Sequence, residues 1–315
     1  MKNVLITGGL GYLGGRITKY LSDKGYSVRI ATRKTENNFP DNIPANTSVM
    51  QLDYYSADQC NKAMDGVNTL IHLAGADANT YLEDPENMIR HHGELMERLV
   101  CAAKYNNLEK FIYFSTIHVY GKSLHGTVTE KTKPIPVHPY AKAHLEAENI
   151  LIRRLDNVAV CIIRCSNLFG LPFFANQKCW ELVVNDLCKS AFQNNRLVIN
   201  SSGQDQRDFI SLGNAVDFTN QIIRTDKNGI YNLASSKTLK VIQFAKLIKK
   251  MIQDSFHIDC TINIKNESID CSDRKNFTIS NEKLISNGLI LNPLDSELKN
   301  LLEYCHNIFS IYSDY

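Results

Sequence analysis

The first two-thirds of the chain alternates short apolar runs with longer segments of helical period. Asn3–Ile6, Ser27–Ala31, Val49–Leu52, Asn68–Leu73, Lys110–Ser115 and Val158–Arg164 are each rich in Val, Ile, Leu or aromatic residues and predict strands. After the first of them, Leu13, Ile17, Tyr20 and Leu21 recur at spacings of four, three and one, which builds one apolar stripe along a helix. Asp23-Lys24-Gly25 ends that helix, glycine being free to take the left-handed conformation. Strands separated by helices in this rhythm imply right-handed crossovers and a parallel sheet covered on both faces. The predicted fold class is therefore α/β, a doubly wound parallel sheet (Rossmann) with a smaller mixed α/β unit. Beyond Asn167 the pattern loosens into a Pro172-Phe173-Phe174 loop, a predicted helix near Trp180–Phe192 and a lysine-rich amphipathic segment around Leu239–Met251. Residues 1–166, with a returning segment near 208–234, form the first predicted unit; 167–207 and 235–315 form the second. No repeat or low-complexity linker separates them, so the two are expected to interweave.

Composition narrows the class. At roughly 150 residues per domain, 315 residues suggest about two units. With 43% hydrophobic and 22% charged residues, disorder of the bulk is excluded. Lys+Arg at 35 against Asp+Glu at 33 leaves +2, no polybasic reservoir for binding nucleic acid. Apolar stretches such as Val158–Ile163 end well short of the roughly 18 residues a membrane span needs. Met1-Lys2-Asn3 runs straight into Val4-Leu5-Ile6 without an export signal, and a cytoplasmic location is expected. Nine cysteines, at 60, 101, 161, 165, 179, 188, 260, 271 and 305, form no CxxC pair and predict free thiols in a reducing compartment. His91, His92, His118 and His144 have no carboxylate or cysteine at ligand spacing, and no metal is expected.

The strongest chemical signal follows the first strand: Thr7-Gly8-Gly9-Leu10-Gly11-Tyr12-Leu13-Gly14, opening directly into a helix. Glycines permit the tight strand-to-helix turn and let the backbone approach a pyrophosphate, whose charge sits on the free N–H groups and dipole of the helix N-terminus. The strand before, the helix after and a second strand at Val28–Ala31 supply the context that dinucleotide binding requires.

With this turn, the chain resembles the extended short-chain dehydrogenase/reductase family, of the NAD-dependent epimerase/dehydratase type acting on nucleotide-sugars. The resemblance covers nearly the whole length. It rests on the glycine turn, Leu52-Asp53, His72-Leu73-Ala74-Gly75, Phe114-Ser115-Thr116-Ile117-His118-Val119-Tyr120-Gly121 and Pro139-Tyr140. Later come Arg164 with Asn167, Arg207-Asp208-Phe209-Ile210 and Gly229-Ile230-Tyr231-Asn232. It implies that Gly8, Gly11 and Gly14, with Tyr12 and Leu13, cradle the pyrophosphate, that Asp53 and Tyr54 lie by the adenine, and that Leu73, Ala74 and Gly75 line the cofactor channel. Where NAD-using members place an acidic residue at the end of the second strand, this chain has Thr32-Arg33-Lys34. Cations there favour a 2′-phosphate, so NADP is expected ahead of NAD, the other reading being a solvated loop.

The resemblance assigns the acid/base role to Tyr140 and a polarising hydroxyl to Thr116. Four residues after the tyrosine, where the family carries a lysine that lowers the phenol pKa and holds the nicotinamide ribose, stands His144. Lys142 lies roughly 200° around the helix from Tyr140 and points away. With an ordinary pKa near 6.5, His144 is expected to carry partial charge at neutral pH, to activate Tyr140 weakly and to displace the pH–rate profile. A second departure is His92, seven residues past Pro85, where the family usually carries an asparagine. Ile117-His118 after Thr116 lack the Asp-Glu pair of 4,6-dehydratases, which disfavours that subclass.

On the substrate side, Asn167 and Arg207 match the family's diphosphate contacts; Arg207 also reads as a structural partner of Asp205 or Asp208. Phe173, Phe174 and Trp180 read as base-stacking, core or interface residues. The leading expectation is a nucleotide-sugar oxidoreductase, an NAD(P)-dependent epimerase or 4-keto-sugar reductase, with Thr116, Tyr140 and His144 at the reaction centre and a homodimer by analogy. The alternative is a dehydrogenase-like protein that binds cofactor and ligand, or acts as a regulatory subunit, without turnover.

Overall fold

The computed structural model describes residues 2–175, 177–266 and 276–310. The chain begins β1 (Asn3–Thr7), α1 (Tyr12–Asp23), β2 (Ser27–Thr32), β3 (Thr47–Gln51), α2 (Ala57–Met64), β4 (Thr69–His72), α3 (Thr80–Glu83), α4 (Pro85–Tyr105) and β5 (Lys110–Thr116). It continues through β6 (Gly126–Val128), α5 (Pro139–Arg154), β7 (Ala159–Cys165), β8 (Asn167–Phe169), α6 (Val183–Asn194), β9 (Arg196–Ile199), β10 (Gln206–Ser211), α7 (Leu212–Ile223) and β11 (Gly229–Leu233). The rest is β12 (Thr238–Lys240), α8 (Val241–Phe256), β13 (Thr261–Ile264), β14 (Phe277–Ile279), α9 (Glu282–Ser286) and α10 (Leu294–Phe309).

Among the described residues, seven parallel strands pair in the order β11-β7-β5-β4-β1-β2-β3. The period-two alternation of the strands separates two cores. Ile6, Ile30, Ile71, Ile112 and Ile163 face α1 and α7, meeting Ile17, Leu21, Phe218 and Ile222. Leu5, Leu70, Phe111, Tyr113 and Ile162 face α2, α4 and α5, meeting Met64, Met96, Leu99, Ala147 and Leu151. Both faces are covered, as a parallel sheet requires. Gly25, at φ +82°, ends the turn after α1, and the Tyr26 N–H closes back on the Leu21 carbonyl at 3.0 Å.

A further core gathers α6, α8 and α10 around Phe192, Phe244, Ile248, Leu298 and Leu301. The helix predicted near Trp180–Phe192 begins at Val183, after a single 3-10 turn at Lys178–Glu181. Of the segment near 208–234, only β11 returns to the central sheet; β10 lies between β8 and β12 in a separate three-stranded sheet. The eight described cysteines are unpaired, and Cys271 lies outside the described residues, as do 311–315 of the second predicted unit. Among the described residues no helix is long and apolar enough to cross a membrane, and no group of three or more His, Cys, Asp or Glu is placed to hold a metal.

Candidate active site

The sheet order reverses between β1 and β4, and a cavity of about 1230 Å³ opens at the carboxyl ends of the strands there. Its floor is the glycine turn. Gly8 has φ +75°, and a Cβ on it would lie 2.9 Å from the Ala74 nitrogen; a Cβ on Gly14 would lie 2.1 Å from the Gly8 carbonyl oxygen. Only bare backbone fits, and α1 opens at Gly11 without a side-chain cap. Its first N–H groups are left for an anion, as a dinucleotide pyrophosphate would supply.

The cavity is lined by fifteen of the predicted residues: Gly8, Gly11, Tyr12, Leu13 and Gly14 on the floor, Thr32, Arg33 and Tyr54 at one end, Leu73, Ala74 and Gly75 along the wall, and Thr116, Tyr140, His144 and Asn167 at the other end. Asp53 and Arg207 are not among the lining residues. The Asp53 carboxylate is exposed and accepts from the Tyr55 N–H at 3.0 Å, capping its own loop. Arg207 is half-buried on β10 and makes no ion pair among the described residues. Asp208 is engaged instead by Ser166 (2.7 Å), Ser235 (2.9 Å) and the Lys237 N–H (3.2 Å). Phe174 is buried against the glycine helix, and Trp180 stacks on Tyr304, so neither presents a face to this cavity.

Local sequence places the reaction centre. His138 caps α5, its Nδ1 accepting from the Tyr140 N–H at 3.2 Å, and Pro139 occupies the first helical position. Tyr140 and His144 are then one turn apart on the inner face, with ring centroids 4.4 Å apart, while Lys142 is exposed on the outer side. Glu148, one turn further, is locked by Arg164 of β7, with contacts of 2.6, 3.1 and 3.2 Å, and by the Ser115 hydroxyl of β5 at 2.5 Å. Glu148 thereby ties the helix carrying Tyr140 and His144 to β7 through Arg164, and to β5, the strand carrying Thr116, through Ser115.

Beneath Tyr140 lies a network that the sequence reading did not find. The Tyr113 hydroxyl is 2.6 Å from His144 Nδ1 and 3.0 Å from His92 Nε2, and His92 Nδ1 is 2.7 Å from the Tyr81 hydroxyl. His72 stacks on Tyr113 and contacts the Thr7 hydroxyl at 2.6 Å. A signal existed: Tyr113 and Ser115 are polar positions at period two in an otherwise apolar strand, on the face toward α5. Tyr81 carried none, because only folding brings α3 against α4 and α5.

Burial sets the charges here. It pushes His92 down to about 4 and His72 down to about 3, and holds His144 well below the imidazole range, with His92 and His72 adding repulsion. The partial charge expected at His144 is therefore absent at neutral pH, and so is the expected cause of a displaced pH–rate profile. Burial, with Tyr81 and Cys165 nearby, raises the Tyr140 phenol above its ordinary value.

Buried neutral histidines make the fold acid-sensitive. Below about pH 6.5 the unfolded chain takes up protons that the folded one refuses, so stability is full above that pH and is lost as pH falls toward the folded values near 4 and 3. At pH 5, His72 and His92 together are expected to remove about 4 kcal/mol relative to pH 7.5, at about 1.4 kcal/mol per group per pH unit. Urea unfolding across pH 5 to 7.5 checks this; a flat midpoint would show that these imidazoles are charged in the fold.

Residues 4–234 match the NAD dependent epimerase/dehydratase family. The dTDP-D-glucose 4,6-dehydratase of Homo sapiens is 30% identical over 160 residues, 50% of this chain and 44% of that protein, so the matched stretch spans less than half of this relative. The solved UDP-N-acetylglucosamine 4-epimerase of Methanobrevibacter ruminantium M1, in complex with UDP-N-acetylmuramic acid, has a TM-score of 0.80 at 23% identity, covering 96% of this chain and 97% of its own. The UDP-glucuronic acid 4-epimerase of Bacillus cereus in complex with NAD has a TM-score of 0.79 at 20% identity, covering 98% of this chain and 100% of its own.

Proposed function

Because the chain belongs to the NAD-dependent epimerase/dehydratase family, we propose that it is an NAD(P)-dependent nucleotide-sugar oxidoreductase, an epimerase or 4-keto-sugar reductase, in which Tyr140 moves the proton. The observation that carries this reading is the convergence on one cavity of the bare glycine turn, Thr116 and Tyr140. When bound, the nicotinamide gives or accepts the hydride. Thr116 hydrogen-bonds the reacting oxygen, and Tyr140 supplies or removes its proton. Asn167 and Arg207 are assigned to the diphosphate of the nucleotide; Asn167 lines the cavity, and Arg207 lies outside its lining on the neighbouring β10. Ile117-His118 offer no acid pair, which supports the epimerase or reductase side over elimination of water.

The charge state of the site favours one direction. Tyr140 is held as a phenol, and among the described residues no cation acts on it. A phenol gives its proton readily to a ketone oxygen that is receiving hydride; taking a proton from an alcohol needs the phenolate. Reduction is therefore expected to outrun oxidation at neutral pH. The test is loss of reduced-cofactor absorbance with 4-keto nucleotide-sugars, alongside interconversion assays on a panel of nucleotide-sugars. If cofactor binds stoichiometrically and no hydride moves with any of them, the second reading, a cofactor- and ligand-binding or regulatory protein, stands instead. The missing cation is the observation that favours it.

On the cofactor, the Bacillus cereus relative carries NAD, whereas Arg33 and Lys34 line this cavity at the end of β2, exposed and without an ion pair among the described residues. That supports NADP ahead of NAD. Arg33→Ala with Lys34→Ala is expected to weaken NADPH by about 10- to 100-fold, the loss of one or two charge-assisted bonds, and to leave NADH unchanged. Tighter binding of NAD than of NADP by the unaltered protein would overturn the assignment. Tyr105 and Ile152, exposed apolar residues at the packed pair α4 and α5, support a homodimer through those helices.

A further inference from the structure

We propose that Tyr81, His92 and Tyr113 form a one-way hydrogen-bond chain that fixes His144 as the Nε2–H tautomer, an uncharged donor facing the cavity. Its use toward a bound dinucleotide or sugar rests on the reading above; the tautomer does not.

The argument starts at the far end. The Tyr81 side chain is 1% exposed, and among the described residues its hydroxyl has one partner, His92 Nδ1 at 2.7 Å. A phenol has one proton to donate, and a buried donor without an acceptor is a costly defect. The Tyr81 proton therefore points at His92 Nδ1, which must be the bare nitrogen. A neutral imidazole carries its single proton on the other nitrogen, so His92 Nε2 donates to the Tyr113 oxygen at 3.0 Å. Tyr113 is then free to donate only to its other neighbour, His144 Nδ1 at 2.6 Å. That nitrogen accepts, and the His144 proton sits on Nε2.

The opposite polarity would strand the Tyr81 proton. Among the described residues a charged imidazole at either position has no ion-pair partner: Glu148, which acts on Tyr113, is already shared by Arg164 and Ser115. His144 lines the cavity, and among the described residues nothing hydrogen-bonds its Nε2. The site thus holds a directed N–H where the family resemblance places an ammonium. It can hold a hydroxyl or carbonyl oxygen, but it cannot favour a phenolate at Tyr140 by charge. Tyr81, His92 and Tyr113 act here as positioning residues.

The test is a long-range proton–nitrogen correlation spectrum of the full chain labelled with nitrogen-15 at histidine, at pH 7 without cofactor. The His144 signals are identified by their loss in His144→Gln. The expected result is one tautomer, with Nε2 protonated and Nδ1 bare, and the same tautomer at His92. A protonated Nδ1, an imidazolium or an averaged mixture at His144 would overturn the proposal. In Tyr113→Phe the His144 Nδ1 signal should move to that of a nitrogen without a donor, and in Tyr81→Phe the His92 Nδ1 signal should do so; if either stays in place, that link does not exist. Because no cofactor is present, failure here is separate from failure of the oxidoreductase reading, which hydride transfer decides.

Discussion

Tyr140→Phe is expected to lower turnover by about 10²- to 10⁴-fold, the range for loss of a positioned acid or base, while dinucleotide affinity stays unchanged. The Tyr140 hydroxyl makes no hydrogen bond among the described residues, and its ring is held by Tyr81 at 5.6 Å and His144 at 4.4 Å. Phenylalanine keeps those ring contacts and removes only the proton carrier. The phenol, raised by burial and unassisted by a cation, is the form present at neutral pH. The reductive rate should therefore hold steady between pH 6 and 8, and the oxidative rate should rise with pH as phenolate forms. Steady-state rates in both directions, with fluorescence titration of the cofactor, check this. A variant within tenfold of the parent would remove Tyr140 from the chemistry.

Glu148→Ala is expected to cost about 3–5 kcal/mol of stability, because it leaves the Arg164 guanidinium buried without its counter-charge. Arg164 Nη1 has no hydrogen-bond partner among the described residues even with Glu148 in place, so little is available to compensate. Stacking of Arg164 over Tyr120, at 4.8 Å, offsets part of the loss. Replacing both partners with apolar residues, Glu148→Leu with Arg164→Met, should recover much of the stability by removing the stranded charge. Urea unfolding of the three proteins is the measurement. A single-variant loss below about 1 kcal/mol, the scale of a surface pair, would show that water reaches this site.

The legible part of the fold was the part governed by local period. The six predicted strands match six of the central sheet's strands to within about two residues at each end, the ordinary uncertainty of boundaries. The seventh, β11, falls in Gly229-Ile230-Tyr231-Asn232, quoted for the resemblance and inside the segment expected to return near 208–234 but not predicted as a strand, because glycine and asparagine interrupt its short apolar run. Trp180 shows the same limit: its type suits a ligand base, a core or an interface, and its partners Tyr304 and Phe309 are known only once α10 packs against α6.

By itself, the sequence determined the doubly wound class, the glycine turn, and the spacing that sets Tyr140 and position 144 on one helical face, since each depends on residues within a few turns of one another. The tertiary structure alone decided the chemistry of that face. A histidine by type titrates near neutrality. His144 does not, because α3, α4 and β5 bring Tyr81, His92 and Tyr113 around it, exclude water and supply hydroxyls in place of carboxylates. Charge state and tautomer are properties of surroundings, and those surroundings come from residues as far as 72 positions away, at His72.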